Sequence, residues 1–481
     1  MRGRGAADLT RAALDGVLPR AAFDVTVALE KVRPICEDIR HRGGEAVREY
    51  TRQFDGVDLE TTRVPQEAID EALAGLDPDV RDALQEAVRR ARVVHQAQLP
   101  AQSDTAPALG LTVSTRYVPV SRAGVYVPGG LVAYPSSVVM NVVPAQAAGV
   151  EQVVVASPPQ QDNGGLPHPV VLAACGLLGV TEVHAVGGAQ ALAALAYGTK
   201  EIVPVDVITG PGNIYVAAAK RLLQGVVGID GEAGPTEIGI IADHTADPRF
   251  VAADLIGQAE HDENAGCLLI TTDPTLPDRV DDELARQLET TRHRERVETA
   301  LRGQAGYVFA DDIAAAVAIS DVWGPEHLEI QTEDAAKVSM QVRNAGAIFL
   351  GSFTPVSLGD YLAGSNHVLP TGGTARHSSG LSVHAYLRVV NVIECSQDSL
   401  RDVAPHVDAL GGAEDLAAHV AAVRIRVPAT AAEATTGDAA TGATTGETTT
   451  AGATTGEATT AGATTGEATT GEATTEGDNS K

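Results

Sequence analysis

The sequence is poor in the features that mark several large protein classes. Basic residues are outnumbered, with 35 Lys and Arg against 63 Asp and Glu and a formal charge of −28. Residues 1–428 alone still carry −21. That balance argues against a face built on phosphate neutralisation, so neither nucleic acid nor an anionic membrane is an expected partner. Cysteine is scarce, and Cys36, Cys175, Cys267 and Cys395 are too far apart to form a paired ligand spacing, as expected of reduced thiols in a cytoplasmic enzyme. No apolar signal core follows Arg2 and Arg4, because Asp8 and Asp15 fall where it should lie. The uncharged stretch from Ala123 to Val150 is interrupted by Pro128, Gly129, Gly130, Pro135, Asn141, Pro144 and Gln146, too often for a membrane-spanning helix. A soluble intracellular, cytoplasmic protein is expected.

The end of the chain lacks apolar bulk altogether. From Ala429 to Lys481 it uses only Ala, Thr, Gly, Glu, Asp, Asn, Ser and Lys, so nothing offsets the entropy of ordering it. Units such as Gly452-Ala453-Thr454-Thr455-Gly456-Glu457 and Gly462-Ala463-Thr464-Thr465-Gly466-Glu467 recur without a core face. A disordered low-complexity tail is expected over 429–481.

What is present is hydrophobic periodicity. To about Gln98, Val27, Leu29, Val32, Ile35 and Ile39, then Leu73, Val80, Leu84 and Val88, recur near the helical period. Strand-like and helix-like runs then alternate. Val113 to Val120, Gly124 to Val127, Val153 to Ala156, Glu182 to Val186 and Val205 to Ile208 read as strands, with helices over Ser136 to Ala148, Pro169 to Leu178, Ala189 to Tyr197 and Pro211 to Leu223. A second series starts at Glu237 and includes helix Asp247 to Glu260, strand Cys267 to Thr271, one long charged helix to about Leu301, strand Gly306 to Ala310 and helix Ile313 to Ile319. This alternation predicts parallel sheets with crossover helices in two α/β lobes. After Gly380 only a strand at Ala385 to Ile393 and a helix at Ala413 to Ala421 are legible, a small C-terminal appendage.

Several polar clusters could carry chemistry. Gly210-Pro211-Gly212-Asn213-Ile214-Tyr215 follows a strand and opens a helix, with Asp230 downstream, but Tyr215 stands where a dinucleotide fingerprint has its third Gly. Tyr126-Val127-Pro128-Gly129-Gly130 and Val186-Gly187-Gly188-Ala189-Gln190 are similar strand-end turns, and alone each is equally a plain turn. In Gln258-Ala259-Glu260-His261-Asp262, a spacing of three puts Gln258 and His261 on one helix face, as two ligands of one metal or as a solvated polar helix end. Pro325-Glu326-His327-Leu328-Glu329 sets a carboxylate beside an imidazole at the entrance of an apolar run, fit for proton transfer or merely structural. Asp360 and Gly364-Ser365-Asn366-His367-Val368-Leu369-Pro370 add a carboxylate and an imidazole in a punctuated loop. Glu414 and His419 are read onto one short helix, sharing a side only loosely.

Together with Gly210-Pro211-Gly212-Asn213 and Ala233-Gly234-Pro235-Thr236-Glu237, these runs resemble the histidinol dehydrogenase family, in order, over about residues 20 to 428. The resemblance implies an α/β fold of two Rossmann-like parallel-sheet lobes, with a helical N-terminal region, a small C-terminal appendage and the disordered tail. The corresponding domains are an N-terminal arm (1–30), an α/β lobe carrying the metal and catalytic residues (31–122 and 235–380), a second lobe (123–234), the appendage (381–428) and the tail (429–481). It implies oxidation of L-histidinol to L-histidine through histidinaldehyde, with two NAD⁺ and one Zn²⁺ per subunit. Gln258, His261, Asp360 and His419 would hold Zn²⁺, and Tyr126, Gln190 and Asn213 would contact NAD. Thr236, His367 and Glu414 would join the zinc ligands and His327 around the substrate, with Glu326 and His327 as the acid/base pair. Thr236 stands where other members carry Ser, keeping the hydroxyl and adding a methyl. A homodimer with shared sites is implied, Glu414 and His419 arriving from the neighbouring subunit. The alternatives are a paralogous NAD- and zinc-dependent dehydrogenase of another polar alcohol, such as a sulfonated diol, and an idle zinc-binding scaffold. The pairing of His367 with Glu414 argues against the first, and the presence of both Glu326 and His327 against the second.

Overall fold

The computed structural model describes residues 17–20, 25–129 and 133–427. Much of the expected N-terminal arm, Gly130 of the first Gly-rich turn and the whole 429–481 tail lie outside the described residues. The chain divides into two compact units, one up to Glu394 and one from Cys395 onward.

The first unit opens with helices Val25–Arg42, Gly44–Asp55, Gln66–Ala74 and Pro78–Ala97. In the first of these the buried stripe is Val25, Ala28, Val32, Cys36 and Ile39, which shares Val32 and Ile39 with the expected set; Leu29 and Ile35 pack at its edge and Val27 faces outward. The last starts cleanly because Asp77 accepts from the N–H groups of Asp79 and Val80 while Pro78 fills the first turn, where its missing N–H costs nothing. A hairpin of β1 (Ser103–Ala108) and β2 (Leu111–Pro119) follows.

The first parallel sheet contains β3 (Arg122–Tyr126), β4 (Gln152–Ser157), β5 (Glu182–Ala185), β6 (Val207–Thr209) and β7 (Gly228–Ile229), in the order β5-β4-β3-β6-β7. The second contains β8 (Glu237–Ala242), β9 (Gly266–Thr271), β10 (Ala305–Phe309), β11 (His327–Gln331) and β12 (Ala347–Leu350), in the order β10-β9-β8-β11-β12. Both sheets therefore start at a central strand, build outward on one side, then reverse to the other, and each has a topological switch point beside its first strand. A further strand, β13 (Leu387–Cys395), joins β2 in a three-stranded sheet.

The central strands are buried on both faces, as crossover helices require, and β8, β9 and β11 are buried throughout. The helices between residues 25 and 97 pack against the first sheet's layers: Val25, Val32 and Ile39 share a core with Leu192, Leu195 and Leu223, and Ile69, Leu84 and Val88 share another with Val125, Val142 and Val155. The expected grouping of 31–122 with 235–380 therefore does not describe the packing of these helices, whose apolar stripes face the 123–234 lobe. The long charged helix expected before Leu301 is two helices, Leu276–Leu288 and Arg294–Gln304, whose buried residues are separate short sets.

In the second unit, Ser396 caps a helix, Gln397–Ala413, that the periodicity did not reveal, and Ala417–Arg424 follows. Glu414 is the C-cap of the first and His419 lies in the second, so the reading of both on one short helix is corrected. Asp415 between them takes φ +57°, which ends one helix and redirects the chain.

Candidate active site

Glu326 and His327 sit at the amino end of β11, beside the amino end of β8, which begins at Glu237. Main-chain atoms of Glu237 hold both. Its N–H donates to Glu326 Oε2 at 2.9 Å, and its carbonyl lies 3.0 Å from His327 Nδ1. The carbonyl can only accept, so Nδ1 carries the proton and Nε2 keeps its lone pair. That Nε2 is buried and has no hydrogen-bond partner. Burial also lowers the pKa of His327, favouring the neutral ring a base needs. Glu326 is moved the other way: burial pushes its carboxyl up to about 7, against the donors of Thr236 and Glu237, with the nearby Asp360 charge raising it further.

Thr236 links this pair to the ligand-type residues. Its hydroxyl donates to Glu326 Oε2 and accepts from Gln258 Nε2, which turns Gln258 Oε1 away with no partner, although buried. Gln258 ends helix Pro248–Ala259, and His261 follows just past it. His261 Nε2 lies 3.9 Å from Asp360 Oδ2. Asp360, on helix Val356–Tyr361, gives its carbonyl to His367 Nδ1 at 3.0 Å, and Ser137 Oγ is 3.4 Å from His367 Nε2. Burial pushes His367 down to about 4, so the ring is neutral. Thr236, Gln258, His261, Glu326, His327, Asp360 and His367 are thus joined by contacts or field effects. Glu414 and His419 belong to the second unit.

Among the described residues no group of three or more His, Cys, Asp or Glu side chains is arranged around a metal position. The donors of the first unit nevertheless fit zinc: the imidazole of His261, the carboxylate of Asp360 and the orphaned buried amide oxygen of Gln258, which an ion would satisfy.

The three Gly-rich turns lie at the carboxyl ends of the other sheet, the usual ligand side of such folds. Tyr126 ends β3 and its Oη accepts from the Gly188 N–H at 3.1 Å. Gln190 lies on helix Gly188–Tyr197, its Nε2 3.5 Å from Asp55 Oδ2. Asn213 caps helix Ile214–Leu223, accepting from the N–H groups of Tyr215 and Val216. Hydroxyl and amide groups at a switch point suit the ribose and phosphate of a dinucleotide.

Two groups near Glu326 and His327 escaped the sequence analysis. Arg20 pairs with the buried Glu237 carboxylate at 2.6 Å and with the Trp323 carbonyl at 2.7 Å, 217 residues away from Glu237 in sequence. Without Arg20's influence the Glu237 carboxyl, which burial pushes up to about 7, would rise further. Asp254 and Glu329 hydrogen-bond to each other, and burial raises both carboxyls, so the pair retains a proton at neutral pH. Glu329 Oε1 also accepts the Val356 N–H at 3.2 Å, tying β11 to the helix that carries Asp360. Neither pairing has a local signal, since the partners are joined only by folding.

Fold and site together define an enzyme, a two-sheet parallel α/β chain with a buried Glu-His pair beside nitrogen and oxygen donors. A family model described as histidinol dehydrogenase matches residues 18–427. The histidinol dehydrogenase of Thermobifida fusca (strain YX) is 61% identical over 412 residues, covering 85% of this chain and 94% of its own. That of Mycobacterium tuberculosis (strain ATCC 25618 / H37Rv) is 58% identical over 426 residues, covering 87% and 96%. The crystal structure of histidinol dehydrogenase from Elizabethkingia anophelis superposes with a TM-score of 0.83 at 32% identity, covering 86% of this chain and 96% of that one. The chain belongs to the histidinol dehydrogenase family, oxidoreductases of histidine biosynthesis.

Proposed function

We propose that the protein oxidises L-histidinol to L-histidine through histidinaldehyde, transferring four electrons in two steps. The observation that supports it best is the unpartnered, buried His327 Nε2 beside a carboxyl that titrates near neutrality. His327 takes the hydroxyl proton of the alcohol in the first step. Glu326 then removes a proton from the water that hydrates the aldehyde, and a second oxidation of the hydrate gives the acid. NAD⁺ supplies the hydride acceptor for each oxidation, with Tyr126, Gln190 and Asn213 as its contacts. Gln258, His261 and Asp360, together with the partner subunit's His419, would hold Zn²⁺, which would supply a Lewis acid for the substrate's imidazole and amine. Thr236 orients Glu326 through its hydroxyl, this chain's own His367 and the partner subunit's Glu414 receive the polar ends of the substrate, and enclosure retains the aldehyde between steps.

The partner is a second copy of this chain in a homodimer. Strand β13 supports this, because it leaves β-branched residues exposed on both faces, Val389 and Ile393 on one and Val390 and Val392 on the other, apolar surface that a second subunit would cover. Among the described residues no helix is long and apolar enough to cross a membrane. The cytoplasm is the proposed location.

The deciding experiment follows NADH formation from a limiting amount of L-histidinol, before and after chelation. Two NADH per histidinol, lost on chelation and restored by Zn²⁺, is the expected result. One NADH per substrate, or turnover unaffected by complete metal removal, would overturn the reading.

A further inference from the structure

Helix Ile214–Leu223 buries a lysine among apolar neighbours. The Lys220 side chain is 3% exposed and sits between Ala219 and Leu223 in the buried set of that helix. Its Nζ donates to the Gly210 carbonyl at 2.6 Å and pairs with Asp230 Oδ1. The other oxygen of Asp230 accepts the Gly210 N–H at 2.7 Å, and Oδ1 also takes the Gly231 N–H at 2.8 Å. One ion pair therefore holds both the donor and the acceptor of a single glycine. That glycine opens the Gly210-Pro211-Gly212-Asn213 turn and has no freedom to be another residue: its φ is +116°, and an added Cβ would lie 2.0 Å from the Tyr126 carbonyl oxygen.

The arrangement has a cost that stability alone does not explain. Burying two charges forfeits their hydration, and the mutual attraction only roughly offsets it, so an apolar pair would hold the helix to the sheet as well. What the ion pair adds is direction. It fixes the path of the turn between Tyr126 and Asn213, leaving Asp230 engaged and not available as the ribose acceptor that a downstream acid supplies in dinucleotide-binding folds.

We propose that Lys220 and Asp230 are positioning residues for the nicotinamide dinucleotide, holding the Gly210 turn in the conformation that presents Asn213 and Tyr126 to it. This rests on the reading of Asn213 as a cofactor contact. Because the pair acts through the turn, its loss weakens cofactor binding while leaving the acid/base pair, on the other sheet, intact.

The test uses the zinc-loaded full chain. In Lys220→Met combined with Asp230→Asn, both charges are removed together, so neither is left buried and alone. The KM for NAD⁺ and the NADH dissociation constant from fluorescence titration should each rise about tenfold, while kcat at saturating NAD⁺ and the KM for histidinol stay within about twofold. Asp230→Asn alone keeps an oxygen for the Gly210 N–H but abolishes the ion pair, leaving Lys220 with neutral acceptors only. It should show a rise of about threefold, and decides the question if the double variant does not fold. A folded variant with unchanged cofactor affinity, or one in which kcat and both KM values worsen together, overturns the proposal. Asn213→Ala separates the two readings. If it weakens NAD⁺ binding and the charge variants do not, the contact stands and the positioning role falls. If the charge variants weaken binding and Asn213→Ala does not, the positioning role stands and the contact is wrong.

Discussion

At Glu326 the protein keeps a carboxyl near 7 where a solvated one titrates near about 4.3, and the cause is burial. As the proposed base it works only when ionised, so oxidation of supplied histidinaldehyde should rise with pH through about 7. Glu326→Gln keeps the shape, should lose that limb, and should slow the aldehyde step more than the alcohol step. Stopped-flow measurement of each half-reaction checks this; if His327→Asn slowed only the aldehyde step, the two roles would have to be exchanged. Glu237, buried beside it, gives a stability prediction of definite sign. A carboxyl whose folded pKa is raised contributes stability at low pH that is lost as pH rises through the folded value, and Arg20 limits that loss by favouring the ionised form. Arg20→Met should therefore cost about 2–3 kcal/mol near pH 8.5 and markedly less near pH 6, read by urea unfolding. An equal loss at both pH values would mean that Arg20 contributes packing over Trp323 alone.

The elements that matter are those whose ends converge. Strand β11 with the residue before it, helix Pro248–Ala259 and helix Val356–Tyr361 carry the Glu326-His327 pair, Gln258 and Asp360, and the Asp254–Glu329 pair together with the Val356 N–H joins all three. Glu329→Ala leaves that buried N–H without an acceptor, a loss of about 1–3 kcal/mol in chemical denaturation. Glu329→Gln, which keeps an acceptor oxygen, should recover most of it; if both variants lose equally, the protonated pair and not the Val356 contact is what holds the helix. Element identity along the two sheets was legible because central parallel strands are short apolar runs separated by amphipathic helices. The C-terminal appendage was less so. Helix Gln397–Ala413 contains Pro405 and buries only Ser399, Ala404 and Gly411, so no apolar stripe announces it.

At the scale of the whole molecule the proposed dimer makes the sharpest prediction. If His419 serves the neighbouring subunit, mixing a His327→Ala chain with a His419→Ala chain gives heterodimers with one doubly damaged and one intact site. Activity should return towards half of wild type per heterodimer, and zinc-replete, verified heterodimers that stay inactive would assign His419 to its own chain. Removing everything after Pro428 should leave turnover and melting temperature unchanged, because the family match ends at residue 427 and the remainder has no apolar face. A sharply lowered melting temperature of the shortened protein would contradict that.

The sequence by itself determined the α/β alternation, the net negative charge and which residues are candidates for the site, because these depend on residue type and local spacing. The Glu326-His327 dipeptide and the Gln258 to His261 spacing are of that kind. Only the tertiary structure decided which of them meet. It showed that one residue's main chain, at Glu237, holds both Glu326 and His327, that Arg20 neutralises that residue's buried side chain, and that Asp230 is engaged by Lys220. Such partners lie ten to more than two hundred residues apart, and a buried charge chooses its partner by proximity in the folded chain, which no local pattern records.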